Sequence, residues 1–235
     1  MQTMPALRGV NQLPLFVREE HPIADVFAFS KPARTFTGDF YFTHRETDRL
    51  WFALGDVAGK GLPAAVIMAM IQEELEHRIT SCATTKCDPS VTMQRLHAFL
   101  HPLMPRNRFA TVVIGHLRDN GLLTIANAGH CPPLISIGNS IEQIGSTGPV
   151  AGILKGSRWR SMTRRLAPGD AILLYSDGLL EARSEDGEEL GLERIARAFD
   201  CVAGATPREI VEHVLAGANG HAFDDDVTLL AISAS

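Results

Sequence analysis

Leu50-Trp51-Phe52-Ala53-Leu54-Gly55-Asp56-Val57-Ala58-Gly59-Lys60-Gly61-Leu62-Pro63-Ala64-Ala65 changes its period part-way along. Residues 50–54 are an unbroken apolar run, the length of a buried strand. The glycines then interrupt it, and from residue 62 to about 78 the apolar positions Ala64, Met68, Ile71 and Leu75 form one stripe of a helix. Glu73, Glu74, Glu76 and His77 make the opposite side polar. Upstream, residues 25–30 and 39–44 have strand character, and polar residues 45–49 form the turn that leads into 50–54. Downstream, Asp88-Pro89 supplies an N-cap and a first-turn proline for a second helix ending near Pro102.

Strands are expected again at 109–117 and 122–126, joined by Asp119-Asn120-Gly121, and then at 134–137, 141–144, 159–166 and 171–175. Two more helices follow at about 192–202 and 207–218, the second opened by the capping box Thr206-Pro207-Arg208-Glu209. Residues 227–233 form the final strand. Helices thus come as two adjacent pairs among hairpin-linked strands, whereas a doubly wound parallel sheet alternates them singly. The order predicts an α+β fold, a four-layer α/β/β/α sandwich of two mainly antiparallel sheets flanked by helix pairs. Residues 21–235 are read as one domain and 1–20 as an N-terminal extension or linker, centred on the proline-bounded segment 5–14.

The chain has 235 residues, 45% hydrophobic and 21% charged, which suits a folded core. Its 22 basic against 27 acidic residues, net −5, match neither nucleic acid nor an anionic membrane. Residues 121–141, free of Asp, Glu, Lys and Arg, contain Asn127, His130, Pro132 and Pro133, so no membrane insertion is expected. Residues 1–17 lack a secretion signal, and Cys82, Cys87, Cys131 and Cys201 have no zinc spacing. Both features suit the cytoplasm, with the cysteines mostly packing residues.

Aspartates sit at strand ends beside glycines or other aspartates: Asp39, Asp56, Asp177, and Asp225 or Asp226. Singly, each is ordinary turn chemistry. Together, if the ends converge, the carboxylates repel and require protons or cations. Such all-oxygen donors suit Mg²⁺ or Mn²⁺, and a pair of ions about 3.5–4 Å apart suits phosphoester hydrolysis.

Five segments in order resemble the bacterial stage II sporulation protein E and sigma-B-regulator serine phosphatases, a branch of the metal-dependent protein phosphatase 2C superfamily. They are Ala33-Arg34 through Gly38-Asp39-Phe40-Tyr41, Gly55 through Ala65, Asn127-Ala128-Gly129-His130-Cys131-Pro132-Pro133, Pro168 through Arg183, and Asp225-Asp226-Val227-Thr228. The resemblance implies the same sandwich, with two divalent cations, Mn²⁺ or Mg²⁺, at its rim. Asp56 would bridge both, the Val57 carbonyl and Asp39 would complete one, and Asp177 and Asp225 would hold the other. Asp225 is preferred to Asp226 by alignment with the superfamily's final Asp-Asn-x-Ser pattern. The implied activity is a protein serine/threonine phosphatase using hydroxide delivered by the ions and no protein nucleophile. Its substrate would be a phosphorylated anti-sigma-factor antagonist, and its partners an upstream sensor module or activating protein.

Two residues depart from the family's Gly-Gly-Asp-x-x-Asp pattern: Thr37 replaces the first glycine and Phe42 the last aspartate. These departures motivate the alternative of a catalytically weak signalling scaffold with the same fold. A phosphatase of small molecules is a third reading. Arg34 is a candidate phosphate contact or a surface arginine, and Lys60 is a candidate phosphate contact or, as preferred, a residue at the start of its helix. Asn127 and His130 are read as a structural turn. Gly55 to Lys60 falls one residue short of a nucleotide-binding P-loop and lacks its Ser or Thr. His97 and His101, four apart, lack the glutamate of a metalloprotease and are read as packing or surface residues.

Overall fold

Both faces of the 50–54 strand are buried. Leu50, Phe52 and Leu54 point one way and Trp51 and Ala53 the other, all with no exposed surface. A strand covered on both sides needs a second sheet on one face and helices on the other. That is the arrangement in the computed structural model, which describes residues 15–19, 23–81, 87–105, 108–202 and 204–235. The first half runs β1 (Leu15–Glu19), β2 (Ala24–Lys31), β3 (Phe40–Arg45), β4 (Arg49–Val57), α1 (Leu62–Thr80) and α2 (Pro89–Leu100). The middle is β5 (Ala110–Arg118), β6 (Leu122–Ala128), β7 (Leu134–Ile137), β8 (Ser140–Gln143), β9 (Met162–Arg165) and β10 (Ala171–Tyr175). The chain closes with α3 (Asp177–Leu180), β11 (Arg183–Ser184), α4 (Gly191–Asp200), α5 (Pro207–Gly217), β12 (His221–Ala222) and β13 (Val227–Ala234).

One sheet has the order β1-β2-β13-β10-β7-β8 and the other β3-β4-β5-β6-β9, with β11 and β12 a separate ribbon. Every strand pair in both sheets is antiparallel. Between the sheets, Leu50, Phe52 and Leu54 pack with Val26, Ile172, Leu174, Leu230 and Ile232. Ile71 and Leu75 of α1 and Met93 and Leu96 of α2 cover Trp51 and Ala53. Ile195 and Phe199 of α4, with Ile210 and Val211 of α5, cover Leu173, Tyr175 and Leu229. Each such large side chain contributes about 1.5–3 kcal/mol on burial, so three apolar layers hold four layers of backbone.

The caps read from sequence are formed. The Asp88 side chain accepts from the Ser90 N–H at 2.8 Å, and Thr206 and Glu209 cap each other's backbone reciprocally. Four expectations change. Residues 159–166 supply only the short β9, because Trp159 turns inward and donates its Nε1–H to the Pro149 carbonyl at 2.8 Å. β4 runs on through Asp56 to Val57, held by pairing of Asp56 with Thr111. Leu15–Glu19, within the stretch read as an extension, pairs with β2 as an edge strand, while the 5–14 segment lies outside the described residues. Cys87 is disulfide-bonded, a departure from the expectation of simple packing thiols, whereas Cys131 and Cys201 are free. Among the described residues, no helix is long and apolar enough to cross a membrane.

Candidate active site

The strand register brings the aspartates to one rim. Phe40 pairs with Gly55, and the same register carried one step further sets Asp39 opposite Asp56. In the other sheet, β10 ends just before Asp177, and β13 begins just after Asp225 and Asp226. The Ser176 N–H donates to the Thr228 carbonyl at 2.9 Å, keeping those two strand ends together. Asp39, Asp56, Asp177, Asp225 and Asp226 then line a single cleft of about 90 Å³, joined by Arg34, Phe36 and Lys60. That space suits small ions and several waters but not a nucleotide. All four aspartates expected from sequence, with Arg34, meet there.

Five carboxylates around one cleft perturb one another. Burial, followed by repulsion from Asp177, Asp225 and Asp226, pushes the Asp56 carboxyl up to about 7. Burial and then Asp56 hold Asp39 well above the usual carboxylate range, although the Ser176 and Thr228 hydroxyls pull the other way. Burial and then Asp225 raise Asp177. Asp39 Oδ2 is buried with no hydrogen-bond partner. An orphaned carboxylate oxygen among repelling carboxylates is a donor set for a hard cation, so the residues fit Mg²⁺ or Mn²⁺. Among the described residues, no group of three His, Cys, Asp or Glu side chains is arranged to hold an ion as it stands. Lys60 Nζ lies 2.9 Å from Asp225 Oδ2.

The two carboxylates at the end of the chain have different duties. Asp226 accepts the Ala33 N–H on Oδ1 at 2.7 Å and the Gly38 N–H on Oδ2 at 3.2 Å. It thereby ties the 33–38 loop, which crosses from β2 in one sheet to β3 in the other, to the start of β13 beside β2. Asp225 keeps Oδ2 turned to the cleft while its Oδ1 accepts the Asp226 N–H at 3.0 Å. Two glycines allow the close approaches. A Cβ on Gly38 would stand 2.8 Å from Asp56 Oδ1 and 2.9 Å from the Val57 carbonyl oxygen, so that carbonyl borders the same space. A Cβ on Gly178 would overlap the Asp226 carbonyl.

The departures have local roles. Thr37 Oγ1 accepts the Asp39 N–H at 2.9 Å, so the threonine steadies the backbone of a cleft aspartate. Phe42 packs against the apolar layer beneath α1 and α2. The Asn127 side chain is fully buried, accepts the His130 N–H at 2.8 Å and donates to the His130 and Ile144 carbonyls. His130, held near 4 and hence neutral by burial, shares a 2.9 Å hydrogen bond with Thr111, the partner of Asp56 across the strands. These two residues form the structural turn expected of them. His97 and His101 hold Gly152 instead of a metal: His97 Nδ1 accepts its N–H at 3.0 Å, and His101 Nδ1 lies 3.1 Å from its carbonyl oxygen.

The sequence offered Lys60 as a phosphate contact but favoured a helix-entry role, and it did not mark Asp226 as the loop anchor. The signal for Lys60 in the cleft is its place between two glycines, four residues after Asp56. Nothing local marks Asp226, because its partners are 188 and 193 residues away.

Comparison with known proteins agrees with this geometry. The sequence pattern of the family described as Stage II sporulation protein E (SpoIIE) matches residues 46–235. Phosphoserine phosphatase RsbU of Bacillus subtilis (strain 168) is 28% identical over 216 residues, covering 88% of this chain and 62% of RsbU. The chain therefore spans less than two thirds of that relative. The crystal structure of the RsbU and RsbW domains of Rv1364c from Mycobacterium tuberculosis superposes with a TM-score of 0.78 at 29% identity, covering 91% of this chain and 60% of that one. The SiaA-PP2C domain of Pseudomonas aeruginosa shares the fold at a TM-score of 0.78 and 23% identity, over 88% of this chain and 85% of that one.

Proposed function

The chain belongs to the stage II sporulation protein E family, and on that premise we propose that it is a protein serine/threonine phosphatase dependent on two divalent cations, Mn²⁺ or Mg²⁺. The single observation that supports this reading most is the convergence of Asp39, Asp56, Asp177 and Asp225 on one small cleft. Asp56, Asp39 and the Val57 carbonyl would hold one ion, and Asp56, Asp177 and Asp225 would hold the other. When bound, the ions supply an acidified water and charge stabilisation for the phosphoryl group. The chain's own part is to hold these oxygens in place. The Asp226 anchor fixes the 33–38 loop, and the Thr37 hydroxyl fixes the Asp39 backbone. Arg34, exposed on the cleft wall, orients the phosphoryl oxygens.

Cation binding completes the electrostatics of the cleft. Near neutral pH Asp56 carries a proton part of the time, and a bound cation displaces it. The substrate carries phosphoserine, in line with the name phosphoserine phosphatase of the relative RsbU, and by the family resemblance it is a phosphoprotein of the anti-sigma-factor antagonist kind. The working domain is residues 21–235 together with the edge strand Leu15–Glu19, acting in the cytoplasm under an upstream sensor or activating protein. The test is phosphate release from a phosphoserine protein with Mn²⁺, after chelation, and with Asp56→Asn. Release that needs Mn²⁺ and is lost in Asp56→Asn supports the reading. Binding of the phosphoprotein without any release would support the scaffold.

A further inference from the structure

Lys60 is the residue of the cleft that the family reading leaves without a task. Its ammonium lies 2.9 Å from Asp225 Oδ2, yet both side chains are about half exposed, at 54% and 48%. An ion pair so open to water is weak and exchanges readily. Asp225 Oδ1 is already engaged by the Asp226 N–H, so Oδ2 is the oxygen turned outward, and the ammonium stands where a cation would approach it.

The backbone around Lys60 leaves it room. Gly59 and Gly61 both adopt positive φ, 115° and 78°, conformations that favour glycine. The Arg108 guanidinium, the end of a flexible side chain, lies beside Gly59, and around Gly61 there is nothing within 4 Å of where a Cβ would stand. Charge counting shows what it can do there. Five carboxylates line the cleft against Arg34 and Lys60, a net −3 if all are ionised. Two divalent cations would turn this to +1. Before they bind, the ammonium is attracted to the carboxylates; after, it is repelled from them and attracted to a phosphoryl dianion.

Resting on the cation reading above, we propose that Lys60 is the resident counter-ion of the cleft. It holds Asp225 in the cation-free site, yields that oxygen to the incoming cation, and then contacts the phosphoryl group as a point charge. Lys60 is thus a competitor of the metal and a helper of the substrate. A lysine that merely starts helix α1 would be neither.

The test is calorimetric titration of the whole chain with Mn²⁺, comparing wild type with Lys60→Met and Lys60→Arg, each checked for an unchanged unfolding midpoint. Removing a weak, half-exposed pair tightens Mn²⁺ binding about two- to fivefold in Lys60→Met, whereas Lys60→Arg keeps the charge and gives no tightening. In the Mn²⁺-loaded protein, inorganic phosphate binds Lys60→Met more weakly than wild type. Equal or weaker Mn²⁺ binding by Lys60→Met, or equal tightening by Lys60→Arg, overturns the counter-ion role and leaves the phosphatase reading standing. Unchanged phosphate binding by Lys60→Met overturns the substrate contact. Absence of Mn²⁺ binding in wild type and variant alike overturns both this proposal and the cation reading beneath it.

Discussion

Asp56→Asn is expected to stabilise the cation-free protein, and increasingly so as pH rises. The wild-type carboxyl titrates near 7 when folded, against the usual 3.8 for Asp, chiefly because it is buried and then because Asp177, Asp225 and Asp226 repel its charge. Between those values the folded state holds a proton that the unfolded state has released, so stability falls as pH rises. The difference between 7 and 3.8, at about 1.4 kcal/mol per unit, totals about 4 kcal/mol of lost stability above pH 7. About 3 kcal/mol of that is lost between about pH 5 and about pH 8, the rest at lower pH. Asparagine carries no charge and escapes the penalty. Urea unfolding in the presence of a chelator, for both proteins at both pH values, measures it. The difference between them grows by about 3 kcal/mol toward the higher pH, equivalent to several degrees in Tm for a chain of this size. Subtracting one protein from the other cancels the titrating groups that do not interact with Asp56, and Asp39, which Asp56 raises, adds to the difference in the same direction. A difference that stays constant with pH would refute the claim that Asp56 is held among repelling carboxylates.

Two further substitutions probe the walls of the cleft. Asp226→Ala strips the acceptor from the Ala33 and Gly38 N–H groups; it should cost about 2–4 kcal/mol in urea unfolding and lower turnover at saturating Mn²⁺, because the loop leading to Asp39 loses its tie to the start of β13. Gly178→Ala forces a Cβ into the Asp226 carbonyl, and a destabilisation of about 1–3 kcal/mol is expected, with weaker Mn²⁺ binding by calorimetry; a neutral result would mean that the loop before β13 moves freely.

Much of the layering was legible because its signals are local. Asp88-Pro89 and Thr206-Pro207-Arg208-Glu209 mark helix starts wherever they occur, and the structure forms both caps. Asp119-Asn120-Gly121 likewise forms its turn, with Gly121 at a φ of 76°. The end of β4 was not legible, since Gly55 and Asp56 are poor strand residues that are kept extended by pairing with Val112 and Thr111. Nor was the shortness of β9. Trp159 leaves the strand for a pocket beside His97, with ring centres 5.2 Å apart, a contact no local pattern encodes. The placement of β13 between β2 and β10 joins segments far apart in the chain.

The site divides in the same way. The identity of its aspartates was legible from glycine-flanked strand ends, and from the family resemblance for their grouping. Their convergence depends on strand order in two sheets, which the sequence does not state. The pairing of Lys60 with Asp225 was not legible, because the two are 165 residues apart and a lysine before a helix is ordinary by itself. Asp226 was weighed only as a substitute for Asp225, whereas backbone N–H groups occupy both of its oxygens.

The most direct test of the account is anomalous scattering from crystals of the protein soaked in Mn²⁺. The account predicts two peaks inside the cleft, both contacting Asp56, one shared with Asp39 and the Val57 carbonyl and the other with Asp177 and Asp225. Peaks that avoid Asp56, or ordered crystals with no peak in the cleft at saturating Mn²⁺, would contradict it.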